Sequence, residues 1–373
     1  MYFRTMPPET TSQKPSNLKA RLLVALAIVA FGSALFVPFL LSGPNILIMA
    51  QDQIRGIPSW QVYADYLKQG ILPVWWGSEL CGHPVYETLP GEGVYPFSVL
   101  MMFIVSGIKR VGYSFWIHTL LSGFAAYQLC RRQFSLDRQA ATTLATFWML
   151  APSTLSLVMG GHIGKYWILA ILPFMLLGFL RFMDTGKIRW ALLISASLGW
   201  MLFSTHIQLV YFILWGVFLL WLGGLWALRN QRKALVGRLV GFWLAIGLGL
   251  GIGSPILLPA MGYVEKSTTR GDGGDKTSLA HATSWSLHWE DVPSLVVPEF
   301  VGVEETYWGE NPFKMNTEAP GAVLLTLGLA GLFFARSIRS RTLLIIGVLS
   351  IIFGLGVHTP LFGFPARSEI IIE

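Results

Sequence analysis

Residues 22–41 read LLVALAIVAFGSALFVPFLL, and this long apolar run indicates the class of fold. These 20 residues carry no charge, and about 20 apolar residues are the length of helix that crosses the hydrocarbon core of a bilayer. Four Lys or Arg residues precede the stretch, and Ser42-Gly43-Pro44 follow it. A secretory signal peptide has a shorter apolar core and a small-residue cleavage site. We therefore expect an uncleaved first span whose N-terminus lies inside.

The composition of the whole chain agrees with this reading. Its 373 residues are 53% hydrophobic and only 13% charged, and the mean hydropathy is +0.57. Soluble globular proteins carry about 25% charged residues, so this chain has too little ionic surface for a soluble enzyme of its size. The same numbers exclude a disordered chain and a coiled coil. The predicted fold class is an all-α polytopic membrane protein.

Further apolar stretches bring the prediction to about nine transmembrane helices. After 22–41, the predicted spans are 113–130, 139–158, 166–180, 190–205, 207–228, 239–260, 321–335 and 342–357. Gly247, Gly249, Gly251 and Gly253 fall inside one of them with small-xxx-small spacing, which indicates close helix packing rather than nucleotide binding.

One apolar segment, 94–108, is too short and proline-interrupted to be assigned by hydropathy alone. If it does not span, five segments face the cytoplasm and hold 17 Lys or Arg against 3 acidic residues. These segments are 1–21, 131–138, 181–189, 229–238 and 336–341. If it did span, four of them would move outside, against the excess of Lys and Arg in cytoplasmic loops. We therefore predict that 94–108 is an interfacial helix on the outer face.

This topology divides the chain into a cytoplasmic tail (1–21), the first span (22–41), a transmembrane bundle (113–260) and two further spans (321–357). Two large extracytoplasmic loops, 43–112 and 262–320, separate them. Short loops suffice for connectivity, and long ordered loops in compact proteins usually carry function.

The first loop contains two candidate groups. Asp52 lies about ten residues beyond the first span, where a partly desolvated carboxylate can act as a general base; a solvated loop acid is the alternative. Trp75, in a stretch rich in Gly, Pro and Trp, could stack on a sugar ring. More often, however, such a residue belongs to the aromatic belt at the depth of the headgroups.

Two turns between spans hold further polar residues. His162 and Lys165, in Gly161-His162-Ile163-Gly164-Lys165, could meet a lipid phosphate, with a plain turn and a snorkelling lysine as the alternative. His206 and Gln208 follow at the outer end of the next helical pair, where they either join the same cleft or make an interhelical hydrogen bond.

The second loop opens with more cations. Lys266 and Arg270 could hold a phosphate or pyrophosphate. Asp272 and Asp275 are weak grounds for a cation site, so we assign no metal ligand and no firm cofactor, while a divalent metal stays open. No nucleotide-binding or metalloprotease motif occurs in the sequence.

The order of these motifs resembles the GT-C superfamily of polytopic glycosyltransferases, and within it the bacterial YfhO-type membrane proteins. The residues that carry the resemblance are Gly70–Trp76, Gly82-His83-Pro84, Gly161-His162 with Lys165, His206-Ile207-Gln208, Tyr263 to Arg270-Gly271, Ser284-Trp285-Ser286, Pro298-Glu299-Phe300-Val301-Gly302 and Tyr307-Trp308-Gly309. The resemblance covers about residues 20–360.

The resemblance implies an enzyme in the cytoplasmic membrane that works on its outer face. It would move a sugar from a polyprenyl-phosphate donor to a cell-envelope glycan or polymer, with Asp52 as catalytic base and His83 among the substrate-binding residues. Asp52 is flanked by Gln51 and Gln53 instead of a second acid, which departs from some relatives. Relatives usually continue beyond the point where residues 358–373 end, so we expect a truncated chain. The alternative is a non-enzymatic transporter or scaffold for lipid-linked glycans; no nucleic acid is expected as a partner.

Overall fold

The structure is a computed structural model that describes residues 18–48, 51–77, 81–87, 93–105, 108–266, 285–311, 314, 317–334 and 337–359. The side chains of residues 51–59, 266 and 304 lie outside this description. The described residues are 75% helical, and the only sheet among them is one short two-stranded hairpin. The all-α character predicted from the sequence is therefore confirmed.

The α-helices are α1 (Leu18–Ala34), α2 (Val37–Leu40), α3 (Gln51–Lys68), α4 (Pro96–Ile104), α5 (Lys109–Arg132), α6 (Arg138–Met149), α7 (Pro152–Gly160), α8 (Ile163–Thr185), α9 (Ile188–Leu202), α10 (Ile207–Ala227), α11 (Arg232–Lys266), α12 (Ala322–Phe334) and α13 (Ile338–Leu355). A two-stranded antiparallel hairpin joins β1 (Trp75–Trp76) to β2 (His83–Pro84). Short 3-10 helices cover Trp289–Leu295, Glu304–Thr306 and Gly356–His358.

Five helical stretches of the described chain are long and apolar enough to cross a membrane. They are 138–160, 163–185, 207–227, 232–265 and 338–358. The predicted spans 190–205 and 321–335 appear as the shorter apolar helices α9 and α12, and 22–41 and 113–130 contain α1 and α5. Every predicted span thus contains a helix, while nine membrane crossings remain a prediction.

Two prolines break helices that hydropathy alone presents as continuous. Pro38 cannot continue α1, because its ring would collide with the carbonyl of Ala34, and α1 ends at that residue. Pro152 likewise separates α6 from α7, and Ala151 before it is extended with ψ of 131°, as a residue preceding proline prefers. The predicted span 139–158 is therefore two helices.

The bundle is built from pairwise contacts between its helices. α5 packs on α6 and α8, α8 packs on α9, and α9 packs on α11, while α10 packs on α13. Gly249 and Gly253 face α9: a Cβ added there would lie 2.8 Å and 2.4 Å from leucine side chains of α9. Gly247 and Gly251 face open space. The prediction of close helix packing is thus confirmed for Gly249 and Gly253 and wrong for Gly247 and Gly251.

Four of the predicted cytoplasmic segments meet at one end of the bundle, which we call the basic end. Asp184 accepts a hydrogen bond from Gln133 at 2.9 Å and pairs with Arg339, and Arg238 donates to the carbonyl of Met183 at 3.0 Å. These contacts join the α5–α6, α8–α9, α10–α11 and α12–α13 connections. The positively charged loops therefore share one end, as the charge distribution predicted.

The first loop begins and ends at the other end of the bundle, which we call the loop end. Lys109, the first residue of α5, donates to the carbonyl of Ser42 at 2.5 Å and to that of Leu40 at 3.4 Å. The chain from 43 to 108 therefore returns to the end of the bundle it left. α4 is 9 residues long, about 14 Å, which is too short for even one crossing. The structure thus agrees with a non-spanning segment, with the helix confined to Pro96–Ile104 of the predicted 94–108.

The second loop is also anchored at the loop end. Its described part, from 285 onward, forms a compact lobe, in which the Leu287 amide donates to the carbonyl of Gly354 at 2.7 Å. The Ser153 amide donates to the carbonyl of Ala319 at 2.9 Å, at the break between α6 and α7. The lobe therefore packs on both α13 and α7.

Candidate functional site

Two turns of the same design lie side by side at the loop end. In the first, Gly161 has φ of +74° and His162 is the N-cap of α8. In the second, Thr205 has φ of +63° and His206 is the N-cap of α10. Glycine adopts this left-handed conformation freely, whereas a β-branched residue is strained in it. Such strain persists where the surrounding structure enforces it, often at functional sites.

The two turns touch through Gly164. A Cβ added to Gly164 would lie 2.8 Å from the carbonyl oxygen of Ser204, so only glycine permits this approach. His162 and Lys165 are close enough to His206 to affect its protonation. The predicted convergence of these three residues is therefore present in the structure. Gln208 lies one residue into α10 and is exposed.

His206 is held as a neutral hydrogen-bond donor. Burial, followed by the charges of Lys165 and His162, lowers the pKa of His206 to about 4. Its Nδ1 accepts a hydrogen bond from the Leu209 amide at 3.3 Å. A neutral imidazole with Nδ1 as acceptor carries its proton on Nε2, so Nε2 is the hydrogen-bond donor of this ring.

The electrostatics of this site suit an anion. α8 and α10 both begin here, and neither has an acidic residue in its first turn. Helix N-termini carry a positive partial charge and amide N–H groups that bind phosphates. Lys165 adds a full positive charge within the first turn of α8.

Beneath the turns lies a buried polar network that was not predicted from the sequence. Trp200 donates its indole N–H to Tyr95 Oη at 2.7 Å, and Tyr95 Oη lies 2.8 Å from His118 Nε2. His118 Nδ1 is 2.7 Å from the carbonyl of Ser114. Because a carbonyl only accepts, Nδ1 carries the proton and Nε2 accepts from the Tyr95 hydroxyl. Tyr95 also stacks on Trp167 with ring centroids 3.7 Å apart. In the sequence, the signal for this network was His118, the single His of the apolar stretch 113–130.

α3, the helix that carries Asp52, packs at this end of the bundle. Its Trp60 packs against an apolar cluster that includes Leu157, Val158 and Ile163, the residues around the first turn. α3 was not predicted, because its mixed sequence has neither a span nor a clear apolar face. Asp52 is its second residue, and its side chain lies outside the described part.

The remaining predicted residues divide between two places. Trp75 and His83 lie on the β-hairpin, where Trp75 is exposed and Trp76 packs with Tyr63 and Met102 of α3 and α4. Lys266 is the last residue of α11, about 20 Å along that helix from Gly253.

Three of the predicted second-loop residues, Arg270, Asp272 and Asp275, lie outside the described residues. Among the described residues, a different group brings metal-ligating side chains together: His288, Glu290 and Glu310 of the lobe.

Comparison with known proteins adds no family. No protein-family model matches the chain, and no curated protein matches it.

Proposed function

We propose that this protein is a membrane glycosyltransferase that moves a sugar from a polyprenyl-phosphate donor to a cell-envelope glycan or polymer. It would lie in the cytoplasmic membrane with its basic end inside and its loop end outside. The resemblance to GT-C and YfhO-type proteins motivates this reaction.

One observation supports it most strongly: the N-termini of α8 and α10 lie side by side at the loop end, with Lys165 in the first turn of α8 and His206 as the N-cap of α10. In transfer from a polyprenyl-phosphate sugar, the bond between the anomeric carbon and the phosphate oxygen breaks, and negative charge develops on the leaving phosphate. Donors placed where charge develops lower the barrier. The turns sit where α8 and α10 begin, so a lipid phosphate at headgroup depth would reach them while its chain stays in the bilayer.

The acceptor hydroxyl loses its proton as it attacks the anomeric carbon. A carboxylate is a suitable base for this step, and we assign it to Asp52 on α3, which packs over the first turn. Lys266 and Arg270 are proposed as additional phosphate ligands, and Gln208, Trp75 and His83 as contacts of the sugar or the acceptor.

The test is transfer from radiolabelled polyprenyl-phosphate sugars by purified protein in lipid nanodiscs. Asp52→Asn should reduce turnover by at least about 100-fold, since general-base catalysis typically contributes 10²–10⁴. The matched control is Asp65→Asn on the same helix, where the exposed carboxylate accepts from Gln61 at 3.2 Å. Asp65→Asn should keep wild-type activity.

The phosphate site is tested separately by binding. Lys165→Met should weaken binding of a polyprenyl phosphate, while Lys187→Met, an exposed lysine at the basic end, should not. If Asp52→Asn turns over at the wild-type rate, the base assignment is wrong. If the wild type transfers no sugar yet moves polyprenyl-phosphate sugars between leaflets, the transporter alternative replaces the transferase.

A further inference from the structure

The lobe of the second loop contains a compact group of nitrogen and oxygen ligands. His288 Nδ1 lies 3.7 Å from Glu290 Oε1 and 3.6 Å from Glu310 Oε2. One ligand atom from each of the three residues falls within 4.8 Å of the others. The group joins two segments of the chain that are 20 residues apart in sequence, so it exists only in the folded lobe.

The spacing matches the coordination sphere of a small dication. Zinc binds imidazole nitrogen and carboxylate oxygen at about 2.0–2.2 Å, and tetrahedral angles then place neighbouring ligand atoms about 3.4 Å apart. The two distances from His288 Nδ1 exceed this value by only a few tenths of an ångström. Two carboxylates and one neutral imidazole carry a net charge of −2, which a dication neutralises.

The ligands are held in position by their surroundings. The Glu310 amide donates to Glu290 Oε1 at 3.0 Å, which ties the two carboxylate-bearing segments together. The ring of His358, in the 3-10 helix that follows α13, packs on His288 with centroids 4.2 Å apart. A hydrogen bond to a ligating carboxylate, such as that from the Glu310 amide, helps to orient the ligand in metal sites.

The group is open on one side. The side chains of His288 and Glu290 are 14% and 27% exposed, whereas that of Glu310 is 82% exposed. An ion can therefore enter from solvent without unfolding the lobe. Three protein ligands leave one position of a tetrahedral ion for water or another small ligand.

We propose that His288, Glu290 and Glu310 bind a divalent transition-metal ion, with Zn²⁺ as the best match to an imidazole and two carboxylates. The site lies in the lobe, on residues that the proposed sugar transfer does not use. It couples the second loop to α13, because His358 packs on one ligand and the lobe is already bonded to Gly354.

The test uses the full chain in detergent micelles, stripped of metal with a chelator and titrated with Zn²⁺ or Co²⁺. We expect one Zn²⁺ per chain by competition with a chromophoric indicator. Co²⁺ should give visible d–d bands with the high intensity of four-coordinate sites. Glu310→Gln should weaken Zn²⁺ binding by at least about 10- to 100-fold, the loss that removal of even an outer-shell partner causes.

Glu305→Gln is the matched control, because Glu305 is an exposed glutamate of the same lobe outside the ligand group; it should bind Zn²⁺ as the wild type does. Amide exchange in the lobe should match the wild type in both variants without metal, which shows that they fold. An unaltered Zn²⁺ affinity in Glu310→Gln, or no stoichiometric binding by the wild type, would overturn the proposal. If the wild type binds no stoichiometric Zn²⁺, the three side chains form an ion-pair cluster and not a metal site.

Discussion

The ion pair between Asp291 and Lys314 offers the sharpest test of how the lobe is held together. Asp291 is fully buried, and its Oδ1 lies 3.5 Å from Lys314 Nζ, whose side chain is 2% exposed. Lys314 also pairs with Glu318 at 2.5 Å, and Asp291 Oδ2 accepts from the Tyr307 hydroxyl at 3.3 Å. Asp291 therefore depends on Lys314 for compensation of its charge, whereas Lys314 has Glu318 as a second partner.

After the substitution Lys314→Met, Asp291 stays buried, and the Tyr307 hydroxyl is the one side-chain partner left to its carboxylate among the described residues. Breaking a buried ion pair from one side costs about 3–5 kcal/mol, because an uncompensated charge remains. Asp291→Asn is milder, since the amide keeps the Tyr307 contact and Lys314 keeps Glu318. We expect about 1–2 kcal/mol for that variant, the range for a lost hydrogen bond.

Amide hydrogen exchange measures these costs within the lobe. The reporters are the Asn311 amide, which donates to Tyr307 Oη at 2.8 Å, and the Leu287 amide, which donates to Gly354 at 2.7 Å. A loss of 3–5 kcal/mol in the opening free energy accelerates exchange by about 150- to 5,000-fold, up to the limit set by full opening of the lobe. Amides of α8 should exchange as in the wild type.

The double variant Asp291→Asn/Lys314→Met tests whether the unpaired Asp291 charge causes the loss of stability. It removes the stranded charge, so its reporters should exchange more slowly than those of Lys314→Met alone. Strictly additive costs, or a Lys314→Met effect no larger than that of Asp291→Asn, would refute the claim that a buried unpaired carboxylate dominates.

Three further predictions concern the bundle. The pKa of His206 is lowered to about 4 from the ordinary 6.5, so the folded state favours the neutral imidazole. The stability that this preference gives is present above pH 6.5 and is lost as the pH falls toward 4. The variant His206→Asn, which can still cap α10, should therefore show a smaller fall in unfolding temperature over that pH range. Gly249→Val should destabilise the bundle by about 1–3 kcal/mol through overpacking, because its Cβ would lie 2.8 Å from α9, while Gly251→Val, in open space on the same helix, should have little effect in the same unfolding measurement. Gly164→Ala would press a Cβ against the Ser204 carbonyl oxygen, separate the two turns and lower sugar transfer by about 10- to 100-fold at unchanged expression; wild-type transfer would show that the approach of the turns is not needed.

Helix positions were the most predictable part of this protein. Each predicted span contains a helix, because a long apolar run has no other way to satisfy its backbone in a bilayer. The helix breaks at Pro38 and Pro152 could have been predicted, because proline interrupts a helix. They were missed because both prolines lie inside apolar runs that hydropathy presents as continuous. The grouping of basic loops was predicted correctly from charge, which is a property of composition and needs no knowledge of packing.

The candidate site was predictable only in outline. His162, Lys165 and His206 were expected to converge, and they do. Nothing in the sequence indicated that Thr205 would take the left-handed conformation of Gly161, which makes the two turns alike.

Hydropathy and charge act locally, residue by residue, so they were enough to predict a helical chain with long membrane-competent stretches and basic loops at one end. Which face of each helix meets a neighbour, and which distant residues touch, became visible only in the folded chain. The rotation of α11 selects Gly249 over Gly251, and the folding of the lobe brings Glu310 to His288. These choices follow from the packing of whole side-chain surfaces, which no single stretch of sequence contains.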